Sequence, residues 1–186
     1  VIWENIRLLV DVYLTLGDRR VLEPIRRGMD VFLLTQAPAP RAGWAEQYTL
    51  ELEPAGARTY EPAALSLRQT EEHIRLLLRF YRLTGERKYL RRIPEALDWL
   101  ERCRLPEALT DGGRFTHPTL VELGTDRPLF VHRKGSNVVN GRYFVDNDPR
   151  APIVHAAGGG RHRIDAASLR RAYEETVQLT SEQATK

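Results

Sequence analysis

Two stretches of the chain, 68 residues apart, carry one alternation of apolar and polar positions. Setting Ile6 to Pro38 beside Ile74 to Pro106 gives identities at Ile6/Ile74, Leu9/Leu77, Tyr13/Tyr81, Gly17/Gly85, Arg19/Arg87, Leu22/Leu90, Ile25/Ile93, Asp30/Asp98 and Pro38/Pro106. In the first stretch Ile6, Leu9, Val10 and Tyr13 recur at the 3.6-residue spacing of one helix face. Gly17 suits a left-handed helix stop, and Asp18 suits the cap of a second helix. Leu22, Ile25, Met29 and Phe32 continue the apolar stripe. In the second stretch His73, Leu77, Phe80 and Tyr81 are answered by Leu90, Ile93, Leu97 and Leu100. Repeated helical hairpins at a long period predict an all-α fold, either an open solenoid or part of a closed α/α toroid. Such hairpins cannot bury their faces alone, so neighbours are expected. The chain opens on Val1-Ile2-Trp3-Glu4 already inside the helical pattern, which reads as a start within a domain.

After Pro106 the pattern changes. Thr110-Asp111-Gly112-Gly113 is turn chemistry. Leu120, Val121, Leu123, Leu129, Phe130, Val131, Val138, Val139, Tyr143, Phe144 and Val145 then sit among Gly, Pro, Asn and Asp, which predicts a loop-rich region with short strands. Ala156 to Gly160 reads as flexible. Asp165 through about Gln178 reads as a last amphipathic helix, and residues 180–186 as a frayed tail.

Composition narrows the partners little. The net charge is +3, from 28 basic and 25 acidic residues, and 42% of residues are hydrophobic, enough for a core. Arginine dominates the basic set, and its planar fork suits carboxylates and phosphates. A polyanionic partner is therefore compatible with the chain, and so is a plain compositional bias. No apolar run is long enough to span a membrane. Arg161, His162 and Arg163 make too small a basic patch for nucleic acid. Gly158-Gly159-Gly160 lacks the context of a phosphate loop. His73, His117, His132, His155 and His162 show no metal-ligand spacing. The single cysteine, Cys103, reads as a buried helix residue.

The chemistry concentrates between the hairpins, in Arg41 to Leu67. This connector is long for a helical repeat, and Trp44, Tyr48 and Tyr60 argue against disorder. It reads either as a carbohydrate-facing loop or as an aromatic plug over helix ends, with Arg58 bracing free carbonyls. Three segments bear on the choice: Gly43-Trp44-Ala45-Glu46-Gln47-Tyr48, Ala57-Arg58-Thr59-Tyr60-Glu61-Pro62, and Val121-Glu122-Leu123-Gly124-Thr125-Asp126-Arg127-Pro128-Leu129-Phe130. In this order they resemble the pectate lyases of polysaccharide lyase family 10, and the resemblance runs from about Ile2 to Phe130.

The resemblance implies a toroidal lyase catalytic domain whose C-terminal part spans residues 1–179. It also implies a secreted or periplasmic protein, monomeric at full length. The implied reaction is β-elimination on polygalacturonate, assisted by calcium. A base takes the C5 proton of a galacturonate and the C4 oxygen leaves. The family's base is an arginine, here Arg58, and a neutral guanidine requires surroundings that disfavour its charge. Arg127 resembles a uronate-binding residue, with pairing to Asp126 or Glu122 as the structural alternative. Arg133 and Arg142 could serve further subsites. Trp44 and Tyr48 could stack on sugar rings or pack within the loop. Glu4 stands where the family has a metal-binding aspartate, which implies a calcium role for its carboxylate. A non-catalytic polyuronate-binding module is the other reading.

Overall fold

Both glycines that the repeat marks as helix stops do adopt the left-handed conformation. Gly17 has φ 66° and Gly85 has φ 69°, and their amides donate back to the Tyr13 and Tyr81 carbonyls at 2.9 and 2.7 Å. Glycine enters this region without the steric cost that a Cβ imposes. In the computed structural model, which describes residues 2–135, 141–153 and 160–185, the chain divides into two compact units, residues 1–36 and 37–186. Val138 and Val139 of the strand reading, Ala156 to Gly159 of the flexible reading, and His155 lie outside the described residues.

The first unit is a helical hairpin. Helix α1 (Ile2–Leu16) and helix α2 (Leu22–Leu34) enclose Ile6, Ile25, Met29 and Phe32. Asp18 caps the single turn between them by accepting from the Arg20 amide at 3.0 Å.

The second unit repeats the motif and adds to it. Helix α3 (Leu67–Thr84) starts at Ser66, whose hydroxyl accepts from the Gln69 amide, and helix α4 (Ile93–Arg102) follows with Pro94 in its first turn. Leu77, Phe80, Tyr81, Leu90, Ile93, Leu97, Trp99 and Leu100 are buried. Helix α5 (Ala166–Val177), capped by Asp165, packs on α3 and α4. The expected frayed tail is instead a short helix, α6 (Ser181–Ala184), closed by a Thr180–Gln183 capping box. The Ser181 hydroxyl donates to the Gly85 carbonyl at 2.7 Å, and the Tyr81 hydroxyl donates to the Leu179 carbonyl at 2.7 Å.

The all-α expectation, with its partial α/α toroid, is overturned by two antiparallel sheets. Strands β1 (Trp44–Ala45), β2 (Leu65–Ser66), β4 (Leu120–Val121), β5 (Pro128–Lys134) and β6 (Arg142–Asp146) form one sheet in the order β1-β2-β4-β5-β6. Strands β3 (His117–Pro118) and β7 (Arg161–His162) form the other. Six α-helices beside these sheets, among the described residues, make an α+β fold. The short strands expected after Pro106 appear as β4, β5 and β6, whereas β1 and β2 beside the connector were not expected. The physical reason is strand length: two residues are too few to repeat an in–out alternation, so such strands leave no period in the sequence.

One crowded point joins helix α4 to the segments entering the sheet. The Gly43 backbone lies against the Trp99 indole so closely that an added Cβ would sit 2.1 Å from a ring carbon. The indole Nε1 donates to the Asp126 carboxylate at 3.0 Å, and Arg41 Nε lies 3.2 Å from the same oxygen. Arg92 donates to the Ala37 carbonyl at 2.9 Å, and Arg102 donates to the Pro40 carbonyl. Helix α4 thus holds the segment entering β1 and the loop entering β5.

His117 is fully enclosed beside this point, with Nε2 3.1 Å from the Leu100 carbonyl and Nδ1 2.8 Å from the Thr116 hydroxyl. Burial pushes its pKa down to about 4, and burial does the same to His73. The Cys103 thiol, also buried, is pushed up to about 12, which leaves it a protonated packing group.

Two outcomes follow for stability. Gly43→Ala should cost about 1–3 kcal/mol in urea unfolding, because the ring and the backbone must separate; a variant of wild-type stability would refute the contact. A histidine buried neutral takes up its proton only on unfolding, so stability should fall as pH drops from about 6.5 towards 4. At pH 5 His117 accounts for about 2 kcal/mol of that loss. Comparing unfolding at pH 7 and pH 5, His117→Gln should lose less stability on acidification than the wild type by that amount.

Candidate anion-binding site

The connector 46–62 is a set of nested turns held at both ends by the sheet. Glu46 accepts from the Ser66 hydroxyl and from Arg68, each at 3.3 Å, which pins the start beside β2. The Tyr48 hydroxyl accepts from the Ala45 amide at 2.6 Å, and Tyr48 pairs with Pro54 in an isolated bridge. The tip is closed by Glu61. Its amide donates to the Arg58 carbonyl at 2.8 Å, and its carboxylate accepts from the Arg58 amide at 3.0 Å. Glu61 is the turn-closing residue that the sequence reading missed; an acid three residues after the turn's first residue was the available signal.

Arg58 projects from this turn with its side chain 69% exposed. Its Nη1 donates to the Tyr60 hydroxyl at 3.1 Å and lies 3.5 Å from Glu61 Oε1. The Tyr60 hydroxyl first, and then the Glu61 charge, raise the guanidinium's pKa above its ordinary value. The surroundings therefore favour the charged form, the reverse of what a base requires.

Tyr60 carries the turn onto the β5–β6 hairpin, with its ring meeting Tyr143 edge-on at 5.3 Å. Opposed residues in an antiparallel pair share a face, so the register Arg133↔Tyr143 and Lys134↔Arg142 sorts the hairpin. On one face Arg133 lies over the Tyr143 ring at 5.1 Å, and further along Val145 packs on Leu129, Leu120 and Ala64. On the other face lie Lys134, Arg142, His132 and Phe144. A cavity of about 500 Å³ opens here, lined by Thr59, Lys134, Gly141, Arg142, Tyr143 and Phe144. Its two charged lining residues are cations, and neither Lys134 nor Arg142 forms an ion pair among the described residues.

The structure thus brings Arg58 and Arg133 to the Tyr60–Tyr143 contact, sets Arg142 on the opposite face of the hairpin, and leaves the other candidates apart from both. Arg127 precedes β5 at the far end from Lys134, roughly 20 Å away along the strand. Its Nε and Nη2 donate to Glu122 Oε2 at 2.9 and 2.8 Å, and Thr125 donates to the same oxygen at 2.6 Å. Those bonds hold the Glu122 carboxyl below its ordinary pKa and brace the β4–β5 loop. Arg127 therefore takes the structural alternative, pairing with Glu122, while Asp126 serves Trp99.

Trp44 is corrected from sugar platform to core residue. It is 0% exposed, its ring meets His73 edge-on at 5.3 Å, and its amide donates to the Thr70 hydroxyl at 3.1 Å. Strand β1 turns it inward, where no ligand reaches it. Tyr48 likewise spends its hydroxyl on the connector's own backbone.

The residues around Glu4 do not fit calcium. Its carboxylate pairs with Arg7 at 2.8 Å on the exposed surface of α1, and no three acidic, histidine or cysteine side chains converge on a metal site among the described residues. Calcium needs six to eight oxygen ligands, of which one paired glutamate is a small part. No family model, curated protein or solved structure matches this chain.

Proposed function

We propose that the chain acts on an acidic polysaccharide of the polygalacturonate class, and that its reaction is the β-elimination of a pectate lyase. One observation supports this above the others. The Ala57–Pro62 segment, one of the three that carry the resemblance to that family, lies beside a cavity whose two charged lining residues are cations without a carboxylate partner among the described residues. Cations with no carboxylate partner among the described residues suit a chain carrying one carboxylate per sugar. Arg142 and Lys134 draw charge from a bound uronate, which eases loss of its C5 proton. The electron pair of that C–H bond forms the C4=C5 double bond, the C4–O bond breaks, and the departing oxygen takes a proton from solvent. Arg58 is the candidate base. To act, it exchanges Tyr60 and Glu61 for the substrate, because both neighbours hold it charged.

The raised pKa of Arg58 favours a second reading, a polyuronate-binding module without turnover. Incubation with polygalacturonate, with calcium and then with chelator, separates the two by the ultraviolet absorbance of the unsaturated product. The lyase reading predicts product in the wild type and a loss of about 10²–10⁴-fold in Arg58→Ala with binding retained. Binding without product in the wild type would establish the module reading, and absence of both would overturn the acidic-polysaccharide assignment. In Arg142→Ala the salt dependence of binding should become shallower, since one charged contact is gone.

A further inference from the structure

Phe144 is a large apolar side chain left 46% exposed on a charged hairpin. One side of its ring is occupied. His132 stacks against it, centroids 5.2 Å apart and planes 23° from parallel. His132 is itself fixed, with Nε2 3.0 Å from Asp146 Oδ1 and 3.0 Å from the Asp148 carbonyl. Phe144 also lines the cavity beside Lys134 and Arg142. An exposed aromatic ring, backed by a second ring that is bonded at its far edge, is a flat apolar surface held in place before any ligand arrives.

Charge gives this surface a direction. Same-face neighbours along a strand stand about 7 Å apart, so the Lys134–Arg142 pair flanks Phe144 on one side. On the other side Asp146 shares the same face. Beyond it the Asp148 carboxylate is bonded by Arg150 at 2.7 Å and held down to about 2, and so stays ionised. A ligand with an apolar ring face and one carboxylate is drawn to lie on Phe144 with the carboxylate towards Arg142 and Lys134, away from Asp146.

Resting on the acidic-polysaccharide reading, we infer that Phe144 is the platform of a single uronate subsite: the pyranose ring stacks on Phe144, and Arg142 with Lys134 reads its carboxylate. Ring and charge are then recognised by different side chains, so each can be removed alone. Thr59 also lines the cavity, which places the subsite one residue from Arg58 along the chain.

Calorimetric titration of the protein with trigalacturonate and with its fully methyl-esterified form tests the division of labour. Phe144→Ala should weaken both ligands alike, by roughly tenfold. Arg142→Ala and Lys134→Ala should erase the preference for the acid and leave the ester's affinity unchanged. Phe144→Trp should retain binding, and its indole emission should shift when the trimer is added, a readout independent of turnover. Unchanged affinity in Phe144→Ala, or a loss confined to the acid, would overturn the platform while leaving the polyuronate reading intact. A wild-type protein that binds neither trimer would sink both. Far-ultraviolet circular dichroism of each variant separates lost binding from lost fold.

Discussion

The contact between the Trp99 indole and the Gly43 backbone is the constraint on which the placement of everything else in the second unit depends. Helix α4 supplies the ring, the segment entering β1 supplies a residue without a side chain, and the loop before β5 supplies Asp126 to accept the indole proton. Three chain segments far apart in sequence meet there, and Arg41 adds its charge to the same carboxylate. A carboxylate that accepts from a buried indole and lies within ion-pairing distance of an arginine is costly to leave half-satisfied. The three segments therefore fix one another. Once β1 and the start of β5 are set by this point, the strand order places β2 and β4 between them, and the connector from Ala45 to Leu65 must double back over the sheet.

That geometry explains why the connector's aromatic residues divide as they do. Trp44 immediately follows the clamp and falls inside it, so its large apolar area serves folding. Tyr60 is many residues from the clamp, reaches the β5–β6 hairpin, and presents its hydroxyl to Arg58. Sequence offered both as aromatic residues of one loop. Which of them faces solvent was decided by distance from a contact whose other members lie at positions 99 and 126.

The helices and the strands after Pro106 were legible, and the sheet that joins those strands to the connector was not. Helical hairpins announce themselves through stripes of four or more apolar residues and through Gly17 and Gly85, all local signals. Strands β4, β5 and β6 lie among the apolar residues after Pro106 that were read as short strands, but β1 and β2 have two residues each, and a pair of residues carries no period. Their pairing comes from tertiary position, which overrides local preference in short segments. The candidate site was legible in part for the same reason. Arg58 and Arg142 stood out by chemistry, whereas Lys134 and Phe144 enter only through the hairpin register, and Arg127 was set apart by a bond to Glu122 within its own loop.

The pairing state of the arginines is the observation with the widest reach. Arg20, Arg68, Arg75, Arg127, Arg150 and Arg170 each have a carboxylate within ion-pairing distance, so their fields are largely cancelled at short range. Lys134 and Arg142 lack one among the described residues, and they lie side by side across two strands. Holding two like charges together costs energy that an incoming anion removes, so the pair binds an anion better than either cation alone. Arg58 belongs to a different set, since Tyr60 and Glu61 hold its charge. For the proposed substrate, a carboxylate settling on Arg142 and Lys134 would leave both of those contacts in place. Binding by the hairpin and proton removal by Arg58 are therefore separable parts of the proposal, the first resting on cations already unpaired among the described residues and the second on a guanidinium that must first lose its partners.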